Sequence, residues 1–296
     1  MERGVSLVFA ERAWIALTLC AFAAAAAQVA KWAEYVLDHI LSQHTLSSVL
    51  VSYETIDGVA RVSMDDCKVN VMSVAMLREL TSAFERAEKD GVAVILTSAR
   101  RGIFSAGFDT KILGRKDPRE VFEMVRLGAE LAARVLAFSR PVVAACPGHA
   151  YPMGAFLLLA SDIRIGADGP YRIGLNEVAI GIPVPTFGLE LARHRLLPAY
   201  LQRTALSGEM FSPSEAMTAG FLDRVVAAEN LQETADAVAA GLSKLDFPSH
   251  ASTKERLRRV TLATVRSAID SEITLEHYQR RAMGSTSSWR ITNTEN

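Results

Sequence analysis

Arg140–Ile165 reads RPVVAACPGHAYPMGAFLLLASDIRI. Val142–Cys146 is short, apolar and bounded by prolines, as expected of a strand buried on both faces. Pro147 to Gly154 is a turn rich in glycine and proline. Met153–Ala160 is apolar on every side and therefore reads as a core helix rather than a surface one. Ile163–Ile165 returns to strand. Strand, turn, buried helix, strand is the pattern of an α/β fold.

The pattern extends outward from this stretch. Toward the N-terminus, Val49–Ile56 and Val59–Met64 are β-rich and flank Asp57-Gly58, a hairpin signal. Val74–Lys89 has helical spacing, with Met76, Leu77, Leu80 and Phe84 on one face. Val92–Ala99 reads as a buried strand, and Arg119–Phe138 as a helix ended by Pro141. Toward the C-terminus, Tyr171–Ile173 is a short strand, and helices are expected over Ala199–Leu206, Ser212–Ala219, Leu231–Leu245 and Ala251–Tyr278. The chain divides into an extension over 1–48, a core over 49–230, a helical region over 231–284, and a loose Ser/Thr/Asn-rich tail over 285–296.

Composition excludes several classes. The 296 residues are 50% hydrophobic and 22% charged, which rules out intrinsic disorder. With 32 Lys+Arg against 33 Asp+Glu the net charge is −1, so nothing favours nucleic acid as a partner. Cys20, Cys67 and Cys146 are too few and too scattered for a disulfide framework, and no zinc-ligand spacing occurs. No GxGxxG or P-loop cradles a nucleotide phosphate. Residues 13–30 carry no charge. As a helix they would span ~27 Å, just the hydrocarbon thickness of a bilayer. A secretory leader, a membrane tether, an appended apolar helix and an over-long start all fit this segment.

Two Gly-punctuated turns each lie between a buried strand and a helix: Gly102-Ile103-Phe104-Ser105-Ala106-Gly107-Phe108-Asp109, and Pro147 to Gly154. Small residues let a ligand approach the backbone, and a helix N-terminus offers unpaired N–H groups to negative charge. Taken singly, each also reads as an ordinary tight turn.

Together, FSAGFDTK, RPVVAACPGHAYPMGAFLLLASDIRI and GLNEVAIGIP resemble the crotonase superfamily of enoyl-CoA hydratases and isomerases, over about Val49 to Tyr278. The resemblance implies a spiral of β-β-α turns, with a helical C-terminal region that supports trimers or dimers of trimers. It implies an acyl-CoA or enoyl-CoA substrate, no metal, and no cofactor beyond the CoA moiety. It also implies that the backbone N–H groups of Phe108 and Met153 polarise the thioester oxygen. The family's glycine triplet is reduced here to Pro152-Met153-Gly154, which crowds that region with side chains. By the same resemblance Lys68, Asn70, Ala106, Asp109, Gly154 and Phe156 line the substrate and CoA site. Because CoA thioesters are intracellular metabolites, a cytoplasmic location is expected, with membrane contact through residues 13–30 as the alternative.

The acid/base groups separate the reactions. The family's hydratases use two glutamates. One position is Phe156 here, which cannot move a proton; the other is Glu177. A single carboxylate beside an oxyanion site suits Δ3,Δ2-enoyl-CoA isomerisation, and an apolar setting is expected to raise its pKa. Hydration, thioester hydrolysis and a non-catalytic binding role are the alternatives. His149 is a possible third polar group in the turn, though a structural one by default. Asp162 is expected to cap its helix or to pair with an arginine such as Arg164. Lys254, Arg256, Arg258 and Arg259 are expected either to meet CoA phosphates or to form a solvated face. Ser161 lacks the surroundings of a nucleophile.

Overall fold

The computed structural model describes residues 49–114 and 117–284. The apolar N-terminal helix and the C-terminal tail expected from the sequence lie outside the described residues.

Three sheets and ten α-helices organise the described residues. The strands are β1 (Val51–Ile56), β2 (Val59–Met64), β3 (Val71–Met72), β4 (Ala93–Ser98), β5 (Gly102–Ser105), β6 (Gly107–Phe108), β7 (Val142–Cys146), β8 (Gly148–Ala150), β9 (Ile163–Ala167), β10 (Ile173–Gly174), β11 (Met210–Phe211) and β12 (Arg224–Val226). The helices are α1 (Val74–Asp90), α2 (Thr110–Leu113), α3 (Pro118–Ala137), α4 (Pro152–Ala160), α5 (Thr186–Arg195), α6 (Pro198–Ser207), α7 (Pro213–Ala219), α8 (Leu231–Leu242), α9 (Phe247–Glu272) and α10 (Leu275–Gly284).

A six-stranded sheet runs in the order β1-β2-β4-β7-β9-β12. The β1–β2 hairpin is antiparallel and every other pairing in it is parallel. A four-stranded sheet runs β11-β10-β8-β5, and β3 pairs with β6. Chain order alternates between the two larger sheets. β4, β7 and β9 enter the first, and their successors β5, β8 and β10 enter the second. Helices α3 and α4 follow the first two of these strand pairs, which gives the β-β-α repeat.

Alternation along the strands explains the layering. Val94, Leu96, Val142 and Ala144 face a core shared with α1, α3 and α4, whereas Ala93, Ile95, Val143 and Ala145 face Leu231, Ala235 and Ala239 of α8. With both faces covered, β4 and β7 need continuous apolar sequence, as their residues provide. Helix α1 starts at Ser73, whose side chain accepts from Met76 N–H, and stops at Gly91, which is left-handed at φ 68°. Phe84 of α1 meets Phe138 edge-on, ring centroids 5.4 Å apart.

The expected turns and strands differ from the observed ones in a consistent way. Both Gly-punctuated turns contain strands, β5 and β6 in the first and β8 in the second. Two- to four-residue strands rich in glycine carry no alternation to read. The single C-terminal helix expected over Ala251–Tyr278 is two, α9 and α10, separated at Ile273. α9 packs against α3 and α5 of its own chain.

Candidate active site

The four-stranded sheet sets the site's geometry. β5, β8 and β10 lie side by side and parallel, with Ser105 opposite Ala150 and Ala150 opposite Ile173. Three residues beyond Ser105, Ala150 and Gly174 stand Phe108, Met153 and Glu177. All three leave the same, C-terminal, edge of the sheet, where α/β folds commonly hold their ligands.

Phe108 and Met153 are brought into contact. Gly107 is left-handed at φ 84°, a conformation that favours glycine, and a methyl group there would stand 3.7 Å from the Met153 nitrogen. The Phe108 ring and the Met153 sulfur converge on Gly128, in the middle of α3. A Cβ on Gly128 would lie 2.6 Å from the ring and 3.0 Å from the sulfur. The Met153 side chain that interrupts the glycine triplet therefore fits because a glycine on the facing helix makes room. Met153 is the second residue of α4, so its N–H belongs to the first turn, whose donors have no intrahelical acceptor. Gly154 has no room for a side chain either, since a Cβ there would approach the Ser105 Cβ to 2.8 Å.

Glu177 follows β10 and precedes a 3-10 turn over Val178–Ile180. Its main chain is anchored by Ile182 N–H donating to its carbonyl at 2.8 Å. Just upstream, Leu175 N–H donates to Thr204 Oγ1 at 2.9 Å. Its side chain is different. The residue is 5% exposed, and neither carboxylate oxygen meets a hydrogen-bond donor of the protein. Burial pushes its pKa from 4.5 up to about 7.

Phe156 is fully buried, edge-on to Phe187 with ring centroids 5.2 Å apart and seated on Gly188, where a Cβ would approach the ring to 2.3 Å. This corner is closed by aromatic packing. The loop carrying Lys68 lies against the first turn, with Ala106 N–H donating to Val69 O at 3.0 Å. Lys68 is exposed. Asn70 is fully buried, and its amide is engaged by Ser98 Oγ at 2.7 Å and Phe104 O at 3.2 Å. Its side chain is thus committed inside the protein, contrary to its expected place beside CoA. Asp109 is half-buried and caps α2 by accepting from Lys111 N–H at 2.8 Å.

His149 is structural. Its Nδ1 accepts from Arg172 N–H at 3.0 Å, and its ring packs against Tyr151 and Tyr171. Ser161 Oγ donates to Leu157 O at 2.8 Å, in keeping with its exclusion as a nucleophile.

The charged residues behind α4 correct two expectations. Asp162 pairs not with Arg164 but with Lys254 Nζ at 2.6 Å and Arg258 Nη2 at 2.7 Å, and it accepts from Val142 N–H at 2.8 Å. Arg164 instead engages Asp223, Nε to Oδ2 at 2.9 Å. Lys254 and Arg258 are buried, so neither faces a CoA phosphate, whereas Arg256 and Arg259 are exposed. Burial, opposed by Asp162, lowers the Lys254 pKa to about 8. Arg258 and Arg195 donate to the carbonyls of Ala160 and Leu159, at the end of the helix whose start carries Met153. A signal was available: 254, 258, 265 and 269 fall on one helical stripe, and Val265 and Ile269 are its buried apolar members.

Comparison with known proteins gives one family, whose members are named both isomerases and hydratases. The family model described as enoyl-CoA hydratase/isomerase matches residues 54–287. The chain is 32% identical over 230 residues to the mitochondrial enoyl-CoA delta isomerase 1 of Homo sapiens, covering 76% of each chain. A crystal structure of an enoyl-CoA hydratase/isomerase family protein from Pseudomonas syringae superposes with a TM-score of 0.74 at 44% identity, covering 76% of this chain and 97% of that one. The apo structure of an enoyl-CoA isomerase from Mycobacterium tuberculosis gives 0.73 at 40% identity, covering 76% and 98%. With its β-β-α repeat and with Phe108, Met153 and Glu177 at one sheet edge, the chain belongs to the enoyl-CoA hydratase/isomerase family, the crotonase superfamily.

Proposed function

We propose that this family member is a Δ3,Δ2-enoyl-CoA isomerase in which Glu177 is the only proton carrier. The observation that carries the reading is the Glu177 carboxylate, buried and without a hydrogen-bond partner, while the second family glutamate position is Phe156 packed on Phe187.

In this mechanism the thioester oxygen of a 3-enoyl-CoA receives the N–H groups of Phe108 and Met153. Glu177 takes a proton from C2, and the electrons delocalise over oxygen, C2 and C4. The protonated Glu177 then delivers the proton to C4, which moves the double bond from C3–C4 to C2–C3. No atom is gained or lost. Fixed backbone donors in a dry site stabilise the dienolate without reorganising, and loss of one such donor costs ~10²–10³ in rate. A base whose pKa is about 7 is half ionised near neutrality and strong enough to move the proton both ways. Hydration would need a second polar group to hold water, and the closed corner at Phe156 offers none.

Lys68, Ala106, Asp109 and Gly154 complete the substrate and CoA site in this reading. Assembly into trimers belongs to it as well. Leu257 and Val260, one turn apart on α9, are 73% and 75% exposed, which supports burial of that face by another copy.

The test is incubation of wild type and Glu177→Gln with 3-hexenoyl-CoA and, separately, 2-hexenoyl-CoA. Wild type is expected to convert the first to the second, with kcat/KM rising as pH passes through about 7. Glu177→Gln should lose ~10²–10⁴ in rate. Equal rates for the two proteins overturn the assignment, and 3-hydroxyhexanoyl-CoA as the main product replaces isomerase with hydratase.

A further inference from the structure

We propose that Ser105 is the positioning residue of the oxyanion site, one buried side chain that holds both donor-bearing segments in register. The inference rests on the reading that Phe108 and Met153 N–H groups receive the thioester oxygen. Ser105 is fully buried at the end of β5. Its Oγ donates to Asn70 O at 2.7 Å and accepts from Gly107 N–H at 3.1 Å, so it fixes the residue immediately before Phe108. Its carbonyl accepts from Tyr151 N–H at 2.9 Å, just ahead of Met153. Its Cβ sits against Gly154, directly after Met153. One residue thus holds the neighbours of both donors.

The far side of the network is equally fixed. Asn70 is left-handed at φ 51°, and its Oδ1 accepts from Asp66 N–H at 3.0 Å. Its Nδ2 donates to Phe104 O, on the peptide that precedes Ser105. Asp66 in turn accepts from Lys68, Asn70 and Val71 N–H groups at 2.8–3.0 Å. The hydroxyl is therefore the side-chain link between a rigid loop and the Gly107 peptide, added to the β3–β6 pairing and to the Ala106 N–H bond to Val69 O. A serine hydroxyl provides one donor and accepts as well, which this position uses. Alanine would remove the hydroxyl's bonds to Gly107 N–H and Asn70 O in a dry interior and leave the β3–β6 pairing to hold the segment with less precision. A misplacement of about 1 Å at reacting groups costs ~10²-fold in rate.

The experiment measures carbonyl polarisation directly. Hexanoyl-CoA labelled with carbon-13 at the thioester carbonyl, which has no double bond to move, is bound to full-length wild type, Ser105→Ala and Ser105→Cys. Isotope-edited infrared spectra then report the carbonyl stretch, and kcat and KM are measured with 3-hexenoyl-CoA. Wild type is expected to shift the stretch to lower wavenumber. Ser105→Ala should keep less than half of that shift and lose about tenfold to a hundredfold in kcat, with KM within about twofold. Ser105→Cys, with a weaker acceptor of similar size, should fall between, and it decides the matter if the alanine variant does not fold. A full wild-type shift and kcat in the folded variant overturns the role of Ser105. No shift in wild type overturns the donor assignment beneath it.

Discussion

In its proposed role Glu177 combines reactivity with a stability cost, and the sign of that cost is fixed by its titration. Its folded pKa of about 7 lies above the ordinary 4.5, so the folded protein holds a proton that the unfolded chain has released between those values. The stability linked to this group is complete below pH 4.5 and is lost as pH rises through about 7. At about 1.4 kcal/mol per tenfold change in proton affinity, the loss is roughly 3 kcal/mol. Glutamine does not titrate. The unfolding free energy of Glu177→Gln, relative to wild type, should therefore rise by roughly 3 kcal/mol between pH 4.5 and 8. Urea denaturation across that range measures it, and a gap that stays constant with pH contradicts the argument. Glu177 and Phe156 were legible in the sequence because each sits in a motif with fixed spacing. Gly128 and Gly188 were not. A glycine inside a helix costs about 1 kcal/mol relative to alanine, and that anomaly was the readable sign that an aromatic ring packs against each.

At the scale of elements, α4 joins the proposed oxyanion donor at one end to a buried charge cluster at the other. Asp162 is the anion that holds Lys254 and Arg258. Replacing it leaves two buried cations without their partner. Asp162→Asn is expected to destabilise the fold by about 3–5 kcal/mol, the usual cost of breaking a buried pair from one side. Removing Lys254 as well should recover part of the loss, because one of the stranded charges is gone. A double-mutant cycle by chemical denaturation tests this, and additive effects of Asp162→Asn and Lys254→Met would refute the coupling. The apolar length of α4 announced a core helix directly. Its capping partners are 34 to 98 residues away in the contacts of Arg195 and Arg258. No local pattern encodes such distances, so Lys254 and Arg258 read as surface charge. The long strands β4 and β7 were visible from their continuous apolar runs. The four-stranded sheet was not, because its strands are two to four residues long.

For the whole molecule, α9 carries opposite faces with different tasks. Lys254, Arg258, Val265 and Ile269 are buried within the chain, while Leu257 and Val260 face outward. If that outer face lies between copies, Leu257→Glu with Val260→Glu should leave the secondary structure unchanged and convert an oligomer to monomers. Sedimentation velocity reads the result directly. A wild type that sediments as a monomer, or a double variant that keeps its oligomeric size, refutes the assignment. Sequence motifs identified the fold family from three short stretches; the exposure of this face comes only from the packing of α9 on α3 and α5.

The common offset of Phe108, Met153 and Glu177 has a consequence for how such a protein can change. Each of these residues sits on its own crossing from the sheet edge, above the hydrogen-bonded strands. In the proposed reading the Glu177 crossing can change by itself, whereas those of Phe108 and Met153 are tied through Ser105 and change together. The sheet edge acts as a rack with interchangeable tools. Reassigning the chemistry of this chain is then a matter of three short loops rather than of its fold.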